Sequence, residues 1–312
     1  LRLAVSLALA AMLGAAPAAA AAQGLQGRSP SPDQMKVNVD LVPVVASVLN
    51  AEGKPVPDLP RGDFRLFQDG HPQQISLFER QTNLPLDLAL MIDTSLSTYV
   101  DMKFERQAAE RFIGQVLRPG DRMAVFTFAY SVAQLSPFTG DTATLDGALR
   151  RIRPGAGTSL FDAIYLGSQA LERRPPNRRR VLLLVTDAGE TTSRASYDQA
   201  REAALRAGAM LYTILIRVVK SENGRNTAGE HAIDTIIDTT GGAVYPVDAP
   251  AQFNSTFDRI NEELRTEYLL GYYPKPAPAP GSYHTIVVRL RAPGSGYFVR
   301  YRKAYYTPEV SQ

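Results

Sequence analysis

Asp93, Ser95 and Ser97 stand at alternate positions directly after an apolar run, Leu88-Ala89-Leu90-Met91-Ile92. In an extended or looping segment alternate side chains point the same way, so one carboxylate and two hydroxyls share a face. An all-oxygen set of this kind suits a hard cation such as Mg²⁺. Alone, the D-x-S-x-S spacing is weak. Asp and Ser are equally ordinary turn and helix N-cap residues, and Thr98 with Asp101 reads as the start of a capped helix. Two later stretches offer the missing oxygens: Gly157-Thr158-Ser159, and Thr186-Asp187 at the end of Val181-Leu182-Leu183-Leu184-Val185. The competing reading makes Ser97, Thr158 and Ser159 plain helix caps.

The elements that would position these residues form an alternating pattern. Short continuous apolar runs such as Leu88–Ile92 and Val181–Val185 suit strands buried on both faces, as in a parallel sheet. Helices are expected between them: Tyr99–Leu117 from the four-residue recurrence of Phe104, Ala108, Phe112 and Val116, then Thr142–Ile152, Leu160–Arg173, Tyr197–Ala207, Ala232–Thr239 and Pro250–Leu264. Further strands are expected at Met123–Phe128, Met210–Ile216 and Ala243–Val247, with Ser131–Phe138 returning antiparallel. Residues 84–266 therefore predict an α/β, Rossmann-like doubly wound sheet, mostly parallel, with ligand groups at the carboxyl ends of its strands.

The flanks are β-rich. In residues 35–81, Val37, Val39 and Leu41 alternate, Val44–Val48 follows, and Phe64–Phe67 with Ile75–Phe78 brackets the tight-turn pair Asp69-Gly70 as a hairpin. In residues 267–308, Tyr268–Tyr273, His284–Arg291 and Tyr297–Tyr306 predict three strands. Neither piece can close a core alone, so the two are expected to pair as a small β-sandwich around the α/β segment. The tyrosines there read as cross-strand packing.

Residues 1–22 predict a secretory signal, with Arg2, an apolar stretch to Leu13 and an alanine-rich cleavage region, and residues 23–34 a flexible lead-in. Gly14 and Pro17 interrupt the apolar stretch short of the roughly 20 residues a membrane span needs. After cleavage no transmembrane segment is expected, and the chain reads as exported: periplasmic, envelope-associated or secreted. It has no cysteine, so an exported fold here uses no disulfides. With 34 Lys+Arg against 31 Asp+Glu, the near-balance argues against a nucleic-acid partner.

Other motifs carry less. Arg61-Gly62-Asp63 reads as a turn before a strand rather than an adhesive tripeptide. Arg173-Arg174 and Arg178-Arg179-Arg180 read as a solvated helix end and loop, since no interleaved aromatics accompany them. Asp93-Thr94-Ser95 and Asp238-Thr239-Thr240 resemble paired aspartic-protease loops, but in an α/β pattern that fold does not have. No Gly-x-Ser-x-Gly elbow exists, and His71, His231 and His284 lack metal-ligand spacing. No enzyme is expected.

Taken together, the three loops resemble the von Willebrand factor type A domain and its metal-ion-dependent adhesion site. The resemblance implies Asp93, Ser95, Ser97, Thr158 and Asp187 as the metal set. The serines and Thr158 would bind directly and the aspartates through water, with Mg²⁺ as the ion and Mn²⁺ or Ca²⁺ as substitutes. Neutral hydroxyls leave residual positive charge and an open position for a partner's Asp or Glu. The implied function is an exported, metal-dependent protein-binding module; a structural envelope protein with a vestigial site is the alternative. The flanks are similar to a bacterial secreted group with D-F-x-x-x-x-D-G (Asp63, Phe64, Asp69, Gly70) before the domain and a Tyr-rich tail after it. That group commonly has D-G-E-D in the third loop, where this chain has Asp187-Ala188-Gly189-Glu190.

Overall fold

The computed structural model describes residues 41–98, 102–217, 226–291 and 296–307. The signal region, the lead-in, Val37, Val39 and the expected helix start at Tyr99 lie outside the described residues. The chain opens on β1 (Val42–Leu49), β2 (Phe64–Gln68), β3 (His71–Gln73) and β4 (Ile75–Glu79). The α/β part follows: β5 (Leu86–Asp93), α1 (Met102–Val116), β6 (Arg122–Phe128), β7 (Val132–Gln134), α2 (Thr142–Arg150), α3 (Leu160–Glu172), β8 (Arg179–Thr186), α4 (Tyr197–Ala207), β9 (Met210–Ile216), α5 (Thr227–Thr240), β10 (Ala243–Val247) and α6 (Gln252–Arg265). It closes on β11 (Tyr268–Tyr272), β12 (Tyr283–Leu290), β13 (Phe298–Tyr301) and β14 (Ala304–Tyr306).

The central sheet runs β10-β9-β8-β5-β6-β7, parallel except for β7. Every residue of β5 is buried, as a strand with helices on both faces requires. One core packs the outer side chains of these strands against α1, α2 and α6, the other against α3, α4 and α5. Because β5 pairs with β6 on one side and β8 on the other, the strand order reverses at β5. The carboxyl ends of β5 and β8 therefore frame the crevice where α/β sheets place ligands.

The remaining strands form two antiparallel sheets, β13-β1-β11-β4 and β14-β12-β2-β3, each mixing strands from both ends of the chain. Their shared core includes Val44, Phe64 and Leu66 from the first half and Tyr268, Tyr272 and Ile286 from the second. Two expectations need correction. Ile75–Phe78 is not the hairpin partner of Phe64–Phe67. A two-residue turn pairs the residues that flank it, so Gln68 meets His71 with Asp69 and Gly70 both at positive φ, and Ile75 crosses to pair with Tyr272 in the other sheet. Tyr297–Tyr306 is not one strand either: it breaks at Arg302-Lys303, because Tyr301 pairs with Ala46 in one sheet and Ala304 with Thr285 in the other.

Arg173 is exposed at the end of α3 as expected, but the solvated-loop reading of Arg178-Arg179-Arg180 fails at Arg179. Arg179 lies within β8 at 4% exposure, its guanidinium bonded to Glu267 Oε2 and the Leu264 carbonyl at 2.5 Å and to the Leu84 carbonyl at 3.0 Å. A buried charge must be paired and hydrogen-bonded, and here the pair joins β8 to the residue just before β11. Asp238 carries its carboxylate on α5 against Lys303 of the tail, not against Asp93. Arg61-Gly62-Asp63 is a single 3₁₀ turn leading into β2.

Candidate metal centre

Asp93 ends β5 fully buried, and its two oxygens are held separately. Oδ1 accepts the Ser95 amide at 2.9 Å and Oδ2 the Thr186 hydroxyl at 2.6 Å. The chain then turns: the Thr98 hydroxyl donates back to the Asp93 and Ser95 carbonyls, each at 3.1 Å. This closed turn leaves Ser95 and Ser97 with their hydroxyl oxygens 3.0 Å apart, Ser95 buried and Ser97 exposed.

The second loop is stitched to the first by the Gly155 amide, which donates to the Thr94 carbonyl at 2.8 Å. Gly157 then takes φ +72°, a conformation glycine adopts without steric cost. Thr158 is clamped by the third loop: its amide donates to Thr191 Oγ1 at 2.8 Å, and its carbonyl accepts the Thr191 and Thr192 amides at 2.8 and 3.2 Å. Ser159 is fully buried and precedes α3 without a side-chain capping bond, so the cap reading fails for it.

Asp187 follows β8, half-buried, with Oδ1 accepting the Gly189 amide at 3.0 Å. A Cβ on Gly189 would stand 3.1 Å from Asp187 Oδ1 and 3.2 Å from Thr158 Oγ1, so glycine keeps open the space these two oxygens border. Ala188, in place of the glycine common in the related group, takes φ +62°. The turn therefore holds an L residue in the left-handed region, at the roughly 1–2 kcal/mol that conformation costs. Glu190 turns back to α3, Oε2 accepting the Phe161 amide at 3.1 Å.

Asp93, Ser95 and Ser97 thus share one turn, Thr158 and Asp187 border one space, and Thr186 ties the first loop to the third. The sequence offers Thr186 with Asp187 as a source of oxygens at a strand end, but not its bond to Asp93. Thr191, which clamps Thr158, carries no local signal in the sequence. Burial pushes the Asp93 carboxyl up to about 6, opposed by the Thr186 and Ser95 hydrogen bonds, and the Asp187 carboxylate pushes it further. Two carboxylates that repel each other among hydroxyls form a donor set a hard divalent cation fits. Among the described residues no cluster of three or more His, Cys, Asp or Glu forms a metal site, so any cation here relies on hydroxyls.

Residues 88–190 match the von Willebrand factor type A domain profile. The comparison with curated proteins finds no match. Among solved structures, a von Willebrand factor type A protein from Catenulispora acidiphila superposes with a TM-score of 0.51 at 13% identity, over 86% of this chain and 74% of that one. The corresponding values for the von Willebrand factor domain of the type V pili tip protein Mfa5 from Porphyromonas gingivalis are 0.47 and 13%, over 58% and 95%. For the pilus adhesin SpaC from Lactobacillus rhamnosus GG they are 0.48 and 10%, over 79% and 48%. The α/β part of this chain has the fold of a von Willebrand factor type A domain.

Proposed function

We propose that the chain is an exported protein-binding module whose three-loop site holds Mg²⁺ and, through it, an Asp or Glu side chain of a protein partner. The observation that carries this reading is the mutual anchoring of the three loops, with Asp93 and Asp187 close enough to repel and no cation offsetting them among the groups acting on Asp93. Ser95, Ser97 and Thr158 would supply neutral oxygens, and Asp93 and Asp187 the negative charge. A divalent ion so held keeps net positive charge and attracts a carboxylate. Leu96 and Tyr130, 67% and 68% exposed, lie in the first loop and in the β6–β7 turn beside it, offering apolar contact area next to the charge. Among the described residues no helix is long and apolar enough to cross a membrane.

The test is direct ion binding followed by capture. Mn²⁺ binding is followed by electron paramagnetic resonance on the parent, Asp93→Ala and Thr158→Ala chains, and bound proteins are recovered from an envelope fraction with Mg²⁺ or EDTA. Loss of binding in Asp93→Ala, a milder loss in Thr158→Ala and EDTA-sensitive capture support the reading. Absence of binding by the parent chain, or undiminished binding by Asp93→Ala, sinks it and leaves a structural protein with a vestigial site.

A further inference from the structure

The sheet β14-β12-β2-β3 turns an unusual face outward. Along β2, Phe64, Leu66 and Gln68 point to the core, while Arg65 is exposed and Phe67 half-buried on the other side. In register on β12, Arg289 stands directly opposite Arg65 and Val287 opposite Phe67. Two guanidinium side chains are thus cross-strand neighbours, a like-charge pairing that costs stability. Arg61 before β2 and Arg291 after β12 extend the positive face. Together with Arg65 they line a groove of about 400 Å³ that also takes in Phe67 and Pro72.

Among the described residues none of these four arginines makes an ion pair. Of the acids nearby, Asp69 accepts from His284 and Thr285, while Asp63, whose carbonyl accepts the Arg291 amide at 2.7 Å, makes no ion pair with these arginines. Arg61 donates to the Ile75 carbonyl, and Arg289 lies over the Phe67 ring at 5.5 Å from its centroid. Each guanidinium has five donors, so these contacts leave most of them free for an anion.

We infer that this groove binds a carboxylate-bearing polysaccharide. Exposed Pro72 beside a guanidinium rim suits a sugar ring: the ring's C–H face lies on the proline and its carboxylate takes a bidentate arginine. Arg65 and Arg289 on adjacent strands, with Arg61 and Arg291 beyond them, present several guanidinium groups, which suits a chain bearing several carboxylates. A peptide adding as a strand is disfavoured. Pro72 opposes Phe67 at the non-hydrogen-bonded position after the turn, so edge strand β3 lacks its outward donor there. A lipid surface fits less well, because Phe67 is held under Arg289 rather than projecting to insert.

The probe is a fluorescent oligogalacturonate, its anisotropy followed at low salt in EDTA so that the proposed cation site is out of play. Neutral dextran and phosphatidylglycerol–phosphatidylcholine vesicles are the comparisons. The parent chain should bind oligogalacturonate and not dextran, and weaken as salt rises. The Arg65→Ala/Arg289→Ala double variant should bind at least tenfold more weakly at a melting temperature no lower than the parent's, since both side chains are exposed and their mutual repulsion is removed. Lack of binding, equal binding by the double variant, or preference for the vesicles overturns the assignment.

Discussion

The Thr186 hydroxyl meets Asp93 Oδ2 at 2.6 Å across the carboxyl ends of two adjacent parallel strands. The bond does two things. It gives Oδ2 of a fully buried carboxylate its donor, as the Ser95 amide does for Oδ1, and it fixes the first loop of the candidate site against the third. Thr186 also accepts the Ala188 amide at 3.0 Å, so the same hydroxyl sets the start of the left-handed turn.

Thr186→Val keeps the shape and removes the donor. A hydrogen bond to a charged group contributes about 1.5–3 kcal/mol, and the variant should lose stability of that order in urea denaturation at neutral pH. Its Mg²⁺ affinity should fall too, because Asp93 is no longer held. A variant as stable as the parent with unchanged Mg²⁺ affinity would show that this bond organises nothing.

The pH dependence of the metal-free protein follows from Asp93. Its carboxyl titrates at about 6 in the folded chain against an ordinary value of 3.8, mainly because burial disfavours the charged form. The folded state therefore holds a proton that the unfolded state has released. The contribution to stability is full below the unfolded value and is lost as pH rises through the folded one. Between about pH 4 and 6 the loss amounts to about 3 kcal/mol. Denaturation in EDTA across this range should show the decline in the parent and a flatter profile in Asp93→Asn.

Added Mg²⁺ should reverse that loss at neutral pH. An ion that binds only the folded state stabilises it by about 2.7 kcal/mol at one hundred times its dissociation constant. Thermal melting in millimolar Mg²⁺ should rise above that in EDTA for the parent chain and not for Asp93→Ala. A rise of equal size in both would locate the ion elsewhere.

Much of this arrangement was legible in the residues, for a physical reason. Runs such as Leu88–Ile92 and Val181–Val185 are apolar on both faces because helices cover both, and that pattern is local in sequence. The polar residues ending them must then lie at a strand end. What was not legible depends on distant partners. Ile75–Phe78 carries a strand pattern, but only Tyr272 and its neighbours decide which sheet takes it. Arg179 looks like one more surface arginine until Glu267 arrives 88 residues later to bury it. The left-handed Ala188 breaks the usual preference for glycine, so its turn was visible only in the backbone.

Gly229, in the first turn of α5, tests how tightly the third loop is held from behind. A Cβ there would stand 1.9 Å from the Ala188 carbonyl oxygen, a backbone atom that cannot swing aside. Either the start of α5 withdraws, weakening the Asn226 cap on the Gly229 amide, or the loop carrying Asp187 shifts. Overpacking of this kind costs about 1–3 kcal/mol. Gly229→Ala should therefore melt lower than the parent and show a smaller Mg²⁺-dependent rise, even though alanine is the better helix former. Gly114→Ala supplies the contrast: that glycine is exposed within α1, with nothing within 4 Å of the added methyl. It should gain about 0.5–1 kcal/mol and leave the Mg²⁺ response unchanged. If Gly229→Ala behaved like Gly114→Ala in both measurements, α5 would not brace the third loop.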